Sequence, residues 1–199
     1  TTPKHNQVLV RVHASSMNYS NLVGLTGKPL LARLVLGLTK PKYRIPGDMA
    51  GVVEATGEHV TQFQVGDEVY GDLSSDGWGA FAEYVVADEK SLALKPSNLS
   101  FEEAAAVPMA AMTALQAIRD KGLVQPEQKV LIHGASGGVG TFAVQIAKAF
   151  GAEVTAVVST RNVEIAKSLG ADRIIDYQKE DFASCDETYD VIIGVNGSR

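Results

Sequence analysis

The sequence has almost no cysteine. Cys185 is the single thiol among 199 residues, so an internal disulfide and a cysteine-rich structural zinc site, which both need several thiols, are excluded. Cys185 lies in a polar stretch with no histidine or basic residue close to it in sequence that would activate it. We predict no role for it.

Positive charge is also scarce. The chain has 18 Lys and Arg against 23 Asp and Glu, a formal charge of −5 and a pI near 5.4. A surface that binds nucleic acid or an anionic membrane needs clustered Lys and Arg. The one basic cluster, residues 28 to 44, is diluted with leucines, so we predict neither partner.

Long apolar runs are missing as well. No apolar stretch reaches the length that spans a membrane, and no charged-then-apolar signal segment opens the chain. With 45% hydrophobic and 21% charged residues, the composition is that of an ordinary globular protein with one large or two small domains. We therefore predict a cytoplasmic location.

The predicted secondary structure changes near residue 97. Before it, short strands are predicted between turn signals, at residues 8–12, 51–55, 67–70 and 82–87. After it, Ser100-Phe-Glu-Glu103 has the pattern of a capping box, and Pro108 is suited to a helix start. Helical patterns then alternate with predicted strands at 129–133, 153–158, 173–176 and 190–194. We predict a β domain over residues 1–97 and an α/β domain over residues 98–199.

The most informative stretch reads as a buried strand, a glycine turn and a helix. Apolar residues 129–133 precede Gly134-Ala-Ser-Gly-Gly-Val-Gly140, helical spacing follows, and Gly151 suits a left-handed C-cap. This A-x-G-x-x-G pattern predicts a dinucleotide pyrophosphate site at the helix N-terminus. The alternative is a tight turn in any doubly wound sheet. The candidate cofactor-binding residues here are Ala135, Ser136, Gly137, Gly138, Val139 and Gly140.

The end of the next strand indicates which dinucleotide is bound. NAD-binding proteins usually place an acidic residue there to accept the ribose 2′-hydroxyl. This chain has no carboxylate in Val158-Ser-Thr-Arg-Asn162, whereas Ser159, Thr160 and Arg161 can hydrogen-bond and neutralise a 2′-phosphate. The sequence therefore favours NADPH over NADH. Ser159 or Thr160 can also cap a helix predicted from about residue 161 to 169, and the two roles are compatible.

A series of ordered motifs resembles one superfamily over essentially the whole chain. The motifs are Ser16-Met-Asn-Tyr19, Pro46-Gly-Asp-Met-Ala-Gly-Val-Val53, Gly66-Asp-Glu-Val-Tyr-Gly71, Gly79-Ala-Phe-Ala-Glu-Tyr84, Ala104-Ala-Ala-Val-Pro108, Met112-Thr-Ala114 and the turn at 134–140. The chain resembles the medium-chain dehydrogenase/reductase superfamily, in particular its zinc-independent quinone-oxidoreductase-like branch. The resemblance implies a truncated GroES-like β domain and a truncated Rossmann domain that binds NADPH, with hydride transfer in the cleft between them. Members usually extend further at both ends and commonly dimerise, so we expect an internal fragment of a homodimeric protein.

The resemblance also bears on zinc. In the zinc alcohol dehydrogenases of this superfamily a cysteine and a His-Glu pair supply ligands, but the matching stretches here carry Asn18 and Gly47-Asp48-Met49. The four histidines, which include His5 and His59 in exposed loops, show no ligand spacing, so we predict no metal. Without a Lewis acid, alcohol oxidation is hard, whereas reduction of a quinone or an activated C=C bond remains feasible because hydrogen bonds stabilise the product anion.

Four residues are candidates for catalysis because they match cleft positions of the superfamily. Asn18 matches the position whose amide faces nicotinamide and substrate, and Tyr19 beside it can donate a proton or belong to the core or rim. Asp48 is either a site carboxylate or a turn residue. Thr113 matches a threonine that approaches the nicotinamide, although it can instead bond back to its own helix. Asn21 replaces an aspartate common in relatives.

Two further cofactor contacts and one loop complete the predicted site. Tyr177 resembles a tyrosine that lies near the adenosine phosphate, and Lys179 can contact the 2′-phosphate or be solvated. The leucine-rich segment 30–38 is predicted to form a helical loop over the mouth of the cleft. It can line an apolar substrate pocket, cover the surface, or meet another subunit.

Taken together, these patterns predict an NADPH-dependent, zinc-independent oxidoreductase that transfers hydride to quinones or α,β-unsaturated carbonyls. No strong acid or base is identifiable, which suits catalysis by proximity and orientation. An alcohol dehydrogenase-like carbonyl reductase is the nearest alternative. A non-catalytic NADPH-binding sensor or structural protein is another, since binding and turnover use the same fold.

Overall fold

The chain folds into two compact units, Thr1–Met109 and Ala110–Arg199. The fold is described from a computed structural model over residues 2–26, 28, 47–74, 79–181 and 187–195. The predicted loop at 30–38, most of the basic cluster at 28–44, and Cys185 lie outside these residues. The domain boundary at residue 97 stays a prediction.

The first unit is built on a five-stranded antiparallel sheet with the strand order β4-β1-β2-β3-β5. Strand side chains point alternately to opposite faces of the sheet, and Val8, Val10, Met49 and Val69 are fully buried in one core cluster. The four strands that the sequence predicts here are confirmed, and the two-residue β5 is an addition. The strands are β1 Gln7–Ser16, β2 Asp48–Thr56, β3 Glu68–Asp72, β4 Tyr84–Asp88 and β5 Ala93–Leu94.

Short helices complete the first unit. They are α1 Tyr19–Thr26, a 3₁₀ turn Glu89–Ser91, and α2 Phe101–Ala105. The predicted capping box at α2 is present: the Ser100 Oγ accepts from the Glu103 N–H at 3.1 Å, and the Glu103 carboxylate accepts from the Ser100 N–H at 2.8 Å. Two otherwise unpaired donors at the helix N-terminus are thereby satisfied.

The second unit is built on a four-stranded parallel sheet with the order β8-β7-β6-β9. This is the 3-2-1-4 order with which a Rossmann sheet begins. Parallel strands are covered on both faces, and β7 accordingly buries every residue after Glu153. The strands are β6 Lys129–His133, β7 Glu153–Val158, β8 Arg173–Asp176 and β9 Val191–Gly194, all close to their predicted bounds.

The helices between these strands also follow the sequence. Helix α3 Pro108–Leu115 begins at the predicted proline and continues into a π-helical turn, Gln116–Lys121. Helix α4 Gly138–Ala149 is followed by Gly151 at φ +80°, the left-handed position that was predicted. A 3₁₀ turn Thr160–Asn162 leads into α5 Val163–Ser168. Within the described ranges, no helix is both long and apolar enough to cross a membrane.

The packing of α4 on β6 gives a stability prediction. A Cβ added at Gly140 would lie 2.1 Å from the Gly134 carbonyl oxygen, so Gly140→Ala forces the helix away and should lower the free energy of unfolding by about 1 to 3 kcal/mol. Urea unfolding followed by circular dichroism measures this.

Gly138→Ala is the matched control on the same helix. A Cβ there meets nothing within 4 Å, so this variant should be more stable than the wild type by about 0.4 to 1 kcal/mol. Equal effects of the two substitutions would contradict the packing argument.

Candidate functional site

The glycine turn between β6 and α4 is held against β7. The N–H groups of Gly134 and Ala135 both donate to the Val157 carbonyl, at 3.2 and 3.3 Å, and the Gly137 N–H donates to the Gly134 carbonyl at 3.0 Å. Gly134 has φ +82°, in the left-handed region that favours glycine. The tight turn therefore uses Gly134, one residue before the motif, and Ala135 is tolerated as a fully buried residue.

Helix α4 presents the N–H groups at its N-terminus without a side-chain cap. Its N-cap is Gly137, with extended backbone and no capping side chain among the described residues. Gly138 is exposed, and Val139 packs against the core. Uncapped N–H groups and the helix dipole together favour an anion. The six predicted pyrophosphate contacts thus lie in one continuous turn at the start of a helix.

Asn162 connects the glycine turn to the end of β7. Its Nδ2 donates to the Ser136 Oγ at 2.9 Å and to the Ser159 Oγ at 3.2 Å. Sequence reasoning missed Asn162. The parallel register His133↔Val157 brings the residues after both strands to one edge of the sheet, and that pairing was the available signal. Ser159 is buried and forms no side-chain cap, so the capping role considered for it is not seen.

A carboxylate that the sequence reasoning also missed lies beside Thr160. The Thr160 Oγ1 donates to the Asp176 Oδ2 at 2.6 Å, the Gln178 N–H donates to Oδ1 at 3.1 Å, and Lys179 forms an ion pair with Oδ2 at 3.3 Å. The hydrogen bond from Thr160, which outweighs the opposing effect of burial, lowers the pKa of Asp176. From residues 158–162 we expect no carboxylate at this edge of the sheet, but Asp176 at the end of β8 supplies one.

The other candidates for nucleotide recognition lie at the surface of this edge. Arg161 is exposed on the 3₁₀ turn, and Tyr177 is 52% exposed, with its N–H bound to the Val158 carbonyl at 3.1 Å. The structure therefore brings Thr160, Asp176 and Lys179 into contact and leaves Arg161 in solvent.

An open pocket of about 420 Å³ lies along α5 and β8. It is lined by residues that include Lys167, Asp172, Asp176 and Lys179, and by none of the glycine turn. It is therefore distinct from the proposed pyrophosphate position, which is a backbone surface at the start of α4.

The first unit contains a separate polar cluster around Asp48, at the start of β2. Asp48 is fully buried, and its Oδ2 accepts from the Asn18 Nδ2 at 3.1 Å, the Met109 N–H at 3.1 Å and, more weakly, the Ser16 Oγ at 3.4 Å. The Asn21 Oδ1 accepts from the Asn18 N–H at 2.6 Å. Asn18 is thus fixed on both sides, and Asp48 is a buried residue at the start of β2 rather than an exposed turn residue.

The electrostatics of Asp48 are unusual. Its Oδ1 is buried and has no hydrogen-bond partner among the described residues. Burial raises the pKa of Asp48, and the charge of Asp72 adds to this, while the hydrogen bonds from Met109 and Asn18 oppose it. Burial outweighs the donors, so the neutral carboxylic acid is favoured relative to an exposed aspartate.

The two remaining catalytic candidates are exposed helical residues. Tyr19 begins α1 and is 77% exposed. Thr113 is an exposed residue of α3 and belongs to the second unit.

The Asp48 cluster does not fit a catalytic zinc ion. Zinc sites use thiolate, imidazole and carboxylate ligands in a tetrahedral set, and this cluster offers one carboxyl, an amide and a hydroxyl. Asp48 also uses one oxygen to bind Asn18 and the Met109 N–H.

Two family models match the chain. The alcohol dehydrogenase GroES-like domain matches residues 4–97, and the zinc-binding dehydrogenase family matches residues 138–198. The first match covers the antiparallel sheet and the second covers α4 and most of the parallel sheet.

Curated relatives agree with these matches. The 2-methylene-furan-3-one reductase of Solanum lycopersicum is 41% identical over 198 residues, which is 95% of this chain and 49% of that protein. The chloroplastic NADPH-dependent alkenal/one oxidoreductase of Arabidopsis thaliana is 38% identical, with 98% of this chain and 51% of that protein covered. The chain thus spans about half the length of these relatives.

Solved structures show the same two folds. A quinone oxidoreductase from Coxiella burnetii has a TM-score of 0.87 at 35% identity, covering 100% of this chain and 63% of that one. The Escherichia coli quinone oxidoreductase complexed with NADPH has a TM-score of 0.73 at 29% identity, covering 91% of this chain and 53% of that one. With its GroES-like sheet, its Rossmann sheet and these relatives, the chain belongs to the medium-chain dehydrogenase/reductase superfamily, among the quinone-oxidoreductase-like proteins.

Proposed function

We propose that the protein to which this chain belongs is an NADPH-dependent, zinc-independent oxidoreductase that transfers hydride to quinones or α,β-unsaturated carbonyls. The observation that carries the proposal is the uncapped N-terminus of α4 behind the left-handed Gly134 turn, which suits a dinucleotide pyrophosphate. Relatives named as NADPH-dependent alkenal/one oxidoreductase and quinone oxidoreductase support the reaction class.

The second unit would hold the nucleotide through the backbone of residues 135–140. Bound NADPH would supply the hydride. Asn162 would hold the glycine turn beside the end of β7 through its hydrogen bonds to Ser136 and Ser159. Tyr177 is proposed to contact the adenosine end. The N–H groups of Ala135 and Gly137 already donate to Val157 and Gly134, so the pyrophosphate would be bound by the uncapped N–H groups at the start of α4.

The preference for NADPH over NADH rests on Arg161 and Lys179. Both are exposed cations at the edge where the ribose would lie, and arginine suits phosphate geometry. The Asp176 carboxylate opposes a second negative charge, but Thr160 and Lys179 already bind it. Asp176 pairs with Lys179, and we propose that Arg161 supplies the positive charge that contacts the 2′-phosphate.

In the first unit, Asn18 is proposed to orient the substrate. One N–H of its side-chain amide donates to Asp48, which leaves the second N–H to polarise a substrate carbonyl. Asp48 is proposed as the residue that positions this amide, through the hydrogen bond that its Oδ2 accepts from the Asn18 Nδ2. Roles for Tyr19 and Thr113 in proton donation or nicotinamide contact remain proposals.

The location and assembly of the full-length protein are also proposals. We propose a cytoplasmic homodimer with no nucleic-acid partner. Relatives are named as chloroplastic and mitochondrial, so cell fractionation has to decide between compartments, and light scattering the oligomeric state.

A fluorescence titration tests the nucleotide site. NADPH should bind more tightly than NADH, and Arg161→Ala should weaken NADPH binding about tenfold with little effect on NADH, because one charge-assisted contact is lost. Arg173→Ala is the matched control, since Arg173 begins β8 at the opposite edge of the sheet and pairs with Glu187. Equal losses in the two variants would exclude a phosphate contact at Arg161.

A reductase assay on the full-length protein tests the reaction. With a panel of quinones and enones, Asn18→Ala should lower kcat/KM about 100-fold, the effect of removing one preorganised donor, and leave the affinity for NADPH unchanged. The exposed Asn98→Ala is the control. NADPH binding without turnover of any acceptor would favour a non-catalytic sensor, and metal-free alcohol oxidation would favour the alcohol dehydrogenase-like alternative.

The pKa of Asp48 is raised and that of Asp172 is lowered. We therefore predict that the stabilities of Asp48→Asn and Asp172→Asn, each relative to the wild type, change with pH in opposite directions. The folded state keeps the Asp48 proton over a pH range in which the unfolded chain has lost it, so wild-type stability falls as pH rises from about 4 through the folded pKa. Asp48→Asn cannot ionise and should gain in stability over the wild type between pH 4 and pH 7.

Asp172→Asn provides the control of opposite sign. Burial raises the pKa of Asp172, but the Lys148 side chain and the Val154 N–H lower it more. Its contribution to stability is present above the unfolded pKa and is lost as pH falls towards the folded pKa. This variant should therefore be destabilised more at pH 7 than at low pH. Urea unfolding at several pH values measures both, and a pH-independent difference for Asp48→Asn would refute the raised pKa.

A further inference from the structure

Two histidines and a glutamate come together in the first unit, at the opposite end of β1 from the Asp48 cluster. The His5 Nδ1 lies 2.9 Å from the Glu58 Oε1, and the His59 Nε2 lies 3.9 Å from the same oxygen. The two imidazole rings stack with centroids 5.3 Å apart. The sequence predicts no metal because these histidines are far apart along the chain. We propose that His5, Glu58 and His59 form a surface site for a divalent transition-metal ion.

The antiparallel pairing of β1 and β2 explains why these residues meet. Val8 pairs with Thr56, so the turn before β1 faces the turn after β2. The Gly57 N–H donates to the Gln7 carbonyl at 2.8 Å, and the His59 N–H donates to the His5 carbonyl at 3.1 Å. A Cβ at Gly57 would lie 2.2 Å from the His5 carbonyl oxygen, so glycine permits this close approach. The backbones that carry the ligands are therefore fixed, while their side chains stay adjustable.

The ligand atoms are near the spacing that a metal requires. One atom from each residue lies within 4.8 Å of the other two. Bonds of about 2.0 to 2.2 Å in a tetrahedral site place ligand atoms about 3.4 Å apart. Small rotations of these exposed side chains would bring the three ligand atoms to that distance. Among the described residues, this is the one group of three such side chains that meets this spacing.

The donor atoms determine the class of ion. Two imidazoles and one carboxylate suit Zn²⁺, Cu²⁺ or Ni²⁺, whereas Mg²⁺ and Ca²⁺ prefer oxygen ligands. The side chains are 63% to 70% exposed, so water can complete the coordination.

The position of the cluster determines what the ion would do. Asp48 pairs with Ser16 at the far end of β1, and ten residues of β-strand span about 30 Å. An ion at His5 therefore cannot reach the Asp48 cluster. It would instead connect the two turns at this end of the sheet and stabilise the first unit, since an ion that binds only the folded state raises its stability.

The test is isothermal titration calorimetry of the metal-free 199-residue chain with Zn²⁺ alone. The wild type should bind one ion. We expect a loss of Zn²⁺ affinity of about tenfold or more in each of His5→Asn, Glu58→Gln and His59→Gln, because even substituting a residue that only contacts a metal ligand often has this effect. Asparagine is chosen at position 5 because His5 has φ +31°, and asparagine tolerates left-handed backbone.

His13→Gln is the matched control. His13 stacks on Phe101 with ring centroids 4.4 Å apart, outside the cluster, and the variant should bind Zn²⁺ like the wild type. Co²⁺ should give visible absorption bands that shift in the His5→Asn variant. Absence of Zn²⁺ binding by the wild type, or equal affinity in the wild type and all three ligand variants, would overturn the proposal. Because all three ligands are exposed, circular dichroism should show unchanged folding in every variant.

Discussion

The candidate nucleotide site depends on how closely the start of α4 packs against the end of β6. Gly140 lies so near the Gly134 carbonyl that no side chain fits between them, and Gly134 itself uses left-handed backbone. These two constraints fix the direction of α4 and leave its first N–H groups at the carboxyl edge of the sheet. The candidate anion site is thus a product of backbone packing, which explains why it consists of glycine, alanine, serine and valine and contains no charged side chain.

The parallel register then adds side chains to this backbone site. Because the carboxyl ends of β6, β7 and β8 meet at one edge, residues that follow different strands become neighbours. Asn162 joins the turns after β6 and β7, and Asp176 reaches from β8 to Thr160. One substitution at this edge can therefore break a contact between two turns, so variants here must be compared with variants at the opposite edge.

Features encoded in a few consecutive residues could be predicted from the sequence. The capping box at Ser100, the helix start at Pro108 and the left-handed Gly151 each depend only on local backbone geometry. Contacts between distant residues could not. Asp176 lies 16 residues from Thr160, and Glu58 lies 53 residues from His5, so neither pair forms a motif. Residues 158–162 at the end of β7 contain no carboxylate, whereas the pairing of β7 with β8 brings Asp176 to the same edge.

The pKa values of the two buried aspartates are shifted in opposite directions. Burial dominates at Asp48 and raises its pKa, whereas the hydrogen bond from Thr160 dominates at Asp176 and lowers its pKa. Asp176 therefore stays charged and keeps Lys179 as its partner. If Lys179 moved to a 2′-phosphate, that ion pair would be lost, although the bonds from Thr160 and Gln178 would remain. Arg161 has no carboxylate partner among the described residues, so it is the cation that can meet a phosphate without first breaking an ion pair.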